Sequence, residues 1–308
     1  MTVFHTPVLG RELVSALAVR PDGAYVDCTV GEGGHAEMIL SAVEPPPRLL
    51  GIDLDADALR SARVRLAGFE AAVSLVQGNY GDVGGLVAAA GFEAADGIII
   101  DLGVSSLQLE SPERGFSFRR EERLDMRFDR RQAQTAFDLV NRAHASELAE
   151  LIRSLGEESR SRRIASAIVA ARPIETTTEL AAVVVGALGG GRRRIHPATR
   201  TFQALRMSVN GELDNLRSGL EQSSALLAPG GRLAVIAYHS LEDRLVKRFM
   251  AVESRDCICP REAALCECGH RASLKRVNRK VIKASQQEIS ANPRSRSARM
   301  RVAERLAV

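Results

Sequence analysis

The chain has 308 residues, 45% of them hydrophobic, a formal net charge of +4 and five cysteines. That suffices for one large or two smaller globular domains, without the apolar run of about 18 residues or the signal pattern that a membrane or exported protein would carry. Five cysteines are few for a disulfide scaffold and point to a reducing, cytoplasmic setting.

Ala24–Val26 is a short apolar run. Asp27-Cys-Thr-Val-Gly-Glu-Gly-Gly-His35 follows, and Ala36–Leu40 carries helical apolar spacing. That order predicts strand, glycine turn, helix. Gly31, Gly33 and Gly34 leave room for a ligand against the backbone, and helix-start N–H groups would face it. Gly31 to Ala36 also fits the dinucleotide pattern G-x-G-x-x-A, with Asp53 about 20 residues on. Arg48–Ile52 predicts a buried strand ending at Asp53, whose carboxylate would accept hydrogen bonds from ribose hydroxyls. NAD and S-adenosylmethionine both contain that ribose. Asp55–Leu66 reads as a helix and Val73–Val76 as a strand, with Gly78-Asn-Tyr80 beyond it. Gly97–Asp101 predicts another buried strand, followed by Leu-Gly-Val-Ser-Ser106. Open α/β sheets bind ligands at the carboxyl ends of their strands, so Asp27, Asp53 and Asp101 would ring one crevice. An acidic ring suits a cationic sulfonium better than a pyrophosphate.

From Leu107 to Val209 the pattern is helical. Ser146–Leu155 and Arg162–Arg172 are amphipathic. Thr176 to Glu179 form a capping box, and Gly189 to Gly191 end that helix. His196-Pro197 is expected to open one long helix, with Phe202, Leu205, Val209, Leu213, Leu216 and Leu220 on one stripe. Pro229 to Gly231 read as a turn, and Arg232–His239 as a strand that resumes the sheet. The expected organisation is residues 1–106, a helical insertion over 107–209, and 210–308, the last with an irregular basic tail whose final strand is Ala298–Ala303.

Charge is uneven. No acid lies between Glu179 and Glu212, where Arg192, Arg193, Arg194, Arg200 and Arg206 fall. After Gly269, eleven basic side chains face only Glu288 and Glu304. Two basic blocks in a balanced chain suggest a polyanion such as RNA, with the Gly190–His196 loop gripping phosphates. Cys257, Cys259, Cys266 and Cys268 form two C-x-C pairs. Zinc ligation and a surface loop of reduced thiols both fit, C-x-C being tighter than the usual C-x-x-C. No metal is assigned to the reaction site.

Longer motifs carry a family resemblance. Asp101-Leu-Gly-Val-Ser-Ser-Leu-Gln108, Glu113-Arg-Gly-Phe-Ser-Phe118 and Leu124-Asp-Met-Arg127 closely resemble the ribosomal RNA small subunit methyltransferase H family. So do His196 to Gln203, Tyr238 to Arg244, His5 to Leu9 and Asn292 to Ser297. The similarity runs in order over essentially the whole chain. It implies a Rossmann-like class I S-adenosylmethionine-dependent methyltransferase sheet with an inserted all-helical domain for substrate recognition. It also implies methyl transfer from S-adenosylmethionine to the N4 of a cytidine in the decoding centre of 16S rRNA, within the small ribosomal subunit. Carried over by residue, Gly33, Gly34 and His35 would line the cofactor, Asp53 would hold its ribose, and Tyr80, where Phe is frequent, would pack on adenine. Asp101 and Gln108 would complete the pocket. Asp101 or a backbone carbonyl nearby would accept the amine hydrogen, with Ser105 a second candidate, and Phe116, Phe118 or Tyr238 would stack on the base. His239 is a further proton-acceptor candidate with an equally good structural role. The alternatives are an NAD-dependent oxidoreductase and a noncatalytic RNA-binding assembly factor.

Overall fold

The structure is a computed structural model that describes residues 6–189, 195–260, 262–263 and 265–307. Arg192, Arg193 and Arg194 lie outside the described residues. The chain divides into two units, Met1–Gly103 with Asp214–Val308, and Val104–Leu213.

The first unit is built on seven strands: β1 (Ala24–Asp27), β2 (Arg48–Asp53), β3 (Val73–Gln77), β4 (Ala95–Asp101), β5 (Leu227–Ala237), β6 (Leu274–Arg276) and β7 (Arg299–Arg305). Their order is β3-β2-β1-β4-β5-β7-β6. β1 to β5 pair in parallel, and β7 runs antiparallel to both β5 and β6. This is the Rossmann-like α/β arrangement, and its strand order reverses between β1 and β4.

Both faces of the sheet are covered, because side chains alternate along each strand. Val26, Leu50, Ile52, Ile98, Ile100 and Val235 enter one core. There they meet Val83 and Val87, Leu216 and Leu220, and Val246 and Met250, from helices Val83–Ala89, Glu212–Leu226 and Ser240–Val252. Tyr25, Leu49, Ile99, Ala234 and Ile236 enter the other core. Helices Gly10–Leu17, Gly34–Leu40 and Ala56–Arg65 cover that face.

The second unit holds helices Ser106–Glu110, Ala136–Arg142, Ala145–Gly156, Ser161–Ala170, Thr177–Leu188 and Thr199–Val209 around its own apolar core. Arg114 is buried there. Its Nη2 donates to the carbonyls of Arg127 and Phe128, each at 3.2 Å. The adjacent Gly115 has φ +69°, and a Cβ on it would lie 2.4 Å from the Arg123 carbonyl oxygen. A left-handed φ and a backbone clash together make Gly115→Ala destabilising by about 3 kcal/mol. Urea denaturation checks this, and an unchanged midpoint would refute it.

Several expectations are corrected. The single helix expected from His196 is two helices, Thr199–Val209 and Glu212–Leu226. Gly211 between them has φ +59°. Asn210 ties the break down, its amide donating to the carbonyls of Met126 and Arg206 while its Oδ1 accepts the Phe128 N–H. The apparent single stripe therefore serves two cores: Phe202, Leu205 and Val209 fill the helical unit, and Leu216 and Leu220 the sheet unit. The boundaries fall at 103/104 and 213/214 rather than 106/107 and 209/210. Val104 packs on the helical core, and Glu212 pairs with Arg206 at 2.7 Å. The expected turn at Pro229 to Gly231 lies within β5, as an irregularity between the pairs Ala95–Leu227 and Gly97–Arg232.

The basic tail is more ordered and less uncompensated than its sequence suggests. It contributes β6, β7 and helix Gln286–Ala291. Arg301 and Arg299 pair with Asp243, an acid outside the tail. Among the described residues no helix is long and apolar enough to cross a membrane.

Candidate active site

Three acids end adjacent parallel strands: Asp27 on β1, Asp53 on β2 and Asp101 on β4. Strand ends next to a reversal of strand order are where an open sheet leaves a crevice. Asp53 accepts the Gly31 N–H at 2.8 Å on one oxygen and the Asp55 N–H at 2.9 Å on the other. The acid thus fixes the glycine turn to the end of β2. Gly33, with φ +82°, begins helix Gly34–Leu40. A Cβ there would also press on Leu66 at 3.2 Å, so the glycine is required by the fold as well as by any ligand. Gly34 is similarly confined, by Arg65 and Pro7.

His35 is buried, and its Nε2 donates to the Val8 carbonyl at 2.9 Å. Burial holds its pKa below the ordinary value, against the charge of Asp27. Its Nδ1 lies 3.7 Å from an Asp101 oxygen. Asp101 is anchored from two further directions. Its N–H donates to Thr29 Oγ1 at 2.7 Å, and its Oδ1 accepts the Tyr238 hydroxyl at 3.0 Å.

The electrostatics follow from this crowding. Desolvation raises the Asp101 pKa to about 7, against the lowering effect of the Tyr238 hydroxyl. Desolvation also raises Asp27 to about 7, with His35 opposing and the charges of Asp101 and Asp53 adding. Asp53 rises to about 6 for the same leading reason, its backbone donors opposing. One oxygen of fully buried Asp27 has no hydrogen-bond partner among the described residues. Three desolvated carboxylates at one end of the sheet favour a cationic ligand. A sulfonium and an ammonium group fit that preference, whereas a pyrophosphate would meet like charge.

The structure therefore brings Asp27, Asp53, Asp101, Gly33 and His35 to one end of one sheet. Thr29, the Val8 carbonyl and the hydroxyl of Tyr238 also belong here. Sequence reading missed the first two and offered Tyr238 only as one of three stacking candidates. Their hydrogen bonds join segments far apart in the chain, and no local spacing signals them. Tyr80 is half-buried against the sheet core, beside Gly219. Ser105 and Gln108 belong to the helical unit. There Ser105 Oγ accepts the Gln108 N–H and Gln108 Oε1 accepts the Ser105 N–H, a reciprocal cap on helix Ser106–Glu110. His239 caps helix Ser240–Val252, and its partner Glu242 is buried. Phe116 stacks on Phe128 at 5.5 Å within the helical core, while Phe118 stacks on exposed His196 at 4.4 Å.

The sequence model of the MraW methylase family matches residues 2–306. The chain is 51% identical over 302 residues to the ribosomal RNA small subunit methyltransferase H of Dehalococcoides mccartyi, covering 98% of this chain and 86% of that protein. It is 48% identical over 308 residues to the protein of the same name from Syntrophus aciditrophicus, with 98% of each covered. The Thermomicrobium roseum counterpart is 49% identical over 310 residues, covering 100% of this chain and 95% of that protein.

Proposed function

The chain belongs to the MraW methylase family and is an S-adenosylmethionine-dependent rRNA methyltransferase, and from that premise we propose that it methylates the N4 amine of a cytidine in the decoding centre of 16S rRNA. The observation that carries the chemical reading is Asp101, an acid at the end of β4 whose one oxygen is held by Tyr238 and whose pKa stands near 7. The reading also makes the small ribosomal subunit the partner and the cytoplasm the place of action.

Bound S-adenosylmethionine supplies an electrophilic methyl on a sulfonium. Asp53 would hold the ribose hydroxyls, Gly33, Gly34 and His35 the neighbouring face, and Tyr80 and Gln108 the rest of the pocket. The exocyclic amine of cytosine is a poor nucleophile, because its lone pair is delocalised into the ring. Turning that lone pair toward the methyl is mainly a matter of positioning. Asp101 would accept an amine hydrogen, and that bond strengthens as the nitrogen gains positive charge. Tyr238 fixes the Asp101 carboxylate, and Ser105 is the alternative candidate acceptor. A cytosine in folded RNA must leave its stack to react. The helical unit, with Arg119, Arg123, Arg162 and Arg163 exposed, would grip the surrounding phosphates.

The test is methyl transfer from labelled S-adenosylmethionine to small subunits from cells lacking the modification, followed by nucleoside analysis. Labelled N4-methylcytidine at one site is expected. Label in another nucleoside, or none with cofactor binding intact, overturns the reading.

Cofactor binding should depend on pH. Asp27, Asp53 and Asp101 titrate near 7, 6 and 7 in the folded chain, against about 4 for an ordinary aspartate. In the free protein the stabilisation from these raised values is complete below about pH 4 and is lost as pH rises through 6 to 7. A cationic ligand favours the ionised acids, so its affinity rises over that window and binding releases protons. Calorimetry of S-adenosylmethionine binding near pH 7, in buffers of different ionisation enthalpy, reads the release directly. Equal apparent enthalpies would contradict it.

A further inference from the structure

We propose that Cys257, Cys259, Cys266 and Cys268 together bind one structural Zn2+ ion. They lie in the loop between helix Ser240–Val252 and β6. All four sulfur atoms fall within 4.8 Å of one another. The Cys266–Cys268 sulfurs are 3.6 Å apart and the Cys257–Cys268 sulfurs 3.8 Å. Four thiolates at about 2.3 Å from a central zinc stand about 3.8 Å apart along the edges of the tetrahedron. The tight C-x-C spacing, which counted against zinc in the sequence, therefore spans a tetrahedral edge.

Disulfides do not account for the arrangement, since bonded sulfurs lie at about 2.05 Å. Nor does apolar packing: Ile258 and Leu265 in the same loop are 46% and 79% exposed. A loop so poor in core contacts, yet converging four thiols on one point, is what a metal cross-link organises. The surrounding groups fit a closed site. The Ile258 N–H donates to Cys268 Sγ at 3.4 Å, which suits a thiolate. His270 is engaged elsewhere, its Nε2 lying 3.1 Å from the Val252 carbonyl at the end of the preceding helix. Four sulfur ligands leave no open position, so the ion's role is structural. It would stiffen the root of the segment carrying exposed Arg271, Lys275, Arg276, Arg279 and Lys280.

The test uses the untagged full chain purified in reductant without chelator. About one zinc per chain is expected by elemental analysis, and about a tenth of that or less in Cys266→Ser. The four thiols should resist a thiol reagent until zinc is chelated and then react together, while buried Cys28 stays slow. Reconstitution of the wild-type chain with Co2+ alone should give the absorption of a tetrahedral tetrathiolate site, which keeps the proposal testable if the variant fails to fold. Four thiols that react at once, with no zinc taken up on reconstitution, would overturn it. So would two disulfides by mass in fresh reduced protein, or iron in place of zinc.

Discussion

Asp101→Asn is expected to lower kcat about 1,000-fold, the range seen when one transition-state hydrogen-bonding group is lost. The substitution keeps the shape of the side chain and an oxygen for the Tyr238 hydroxyl. What it removes is the negative charge that would strengthen its bond to the amine as methyl transfer proceeds. Single-turnover methylation of small subunits measures the rate, and calorimetry measures cofactor binding alongside it. Cofactor affinity should change less than about tenfold, because ribose binding is assigned to Asp53. A rate loss below about tenfold would remove Asp101 from the chemistry and leave Ser105 as the acceptor to test. Equal losses in rate and affinity would make Asp101 a cofactor residue only.

Asp53→Ala should raise the Kd for S-adenosylmethionine about 100-fold or more. Hydrogen bonds to a charged acceptor contribute about 1.5–3 kcal/mol each, and two ribose hydroxyls would lose theirs. The effect has a second source. The Asp53 carboxylate also holds the N–H groups of Gly31 and Asp55, so alanine releases the turn that precedes Gly33. Asp53→Asn, which keeps one acceptor oxygen, should fall between alanine and wild type. Calorimetric titration decides the matter, and a change under about threefold would place the ribose elsewhere.

Three strands of the sheet, β1, β2 and β4, were legible because each is a short apolar run ended by an acid. The repeating pattern places Asp27, Asp53 and Asp101 at equivalent strand ends. Burial on both faces demands that unbroken apolar run, and parallel pairing brings the acids to the same side. The stripe from Phe202 to Leu220 misled for the opposite reason. Helical spacing records which residues are buried but not in which core, so one periodic signal covered two helices from two units. Sequence reading offered Ser105 and Gln108 only as site residues and did not read the reciprocal cap they form, since a cap spacing in sequence looks the same wherever the helix ends up.

Local sequence alone determined most of the elements before the helical insertion, the glycine turn and the acids that close β1, β2 and β4, because propensity, turn chemistry and apolar period act within a few residues. The family motifs likewise lie in contiguous stretches. Tertiary structure decided which groups meet. Tyr238 reaches Asp101 across 137 positions, and Thr29 reaches the Asp101 N–H across 72. It also brought four cysteines to one point and gave Arg301 its acid in Asp243. Such contacts depend on how sheet and helices pack, and desolvation follows from them. The raised pKa values of the three acids are therefore properties of the folded chain that the same residues do not have in sequence.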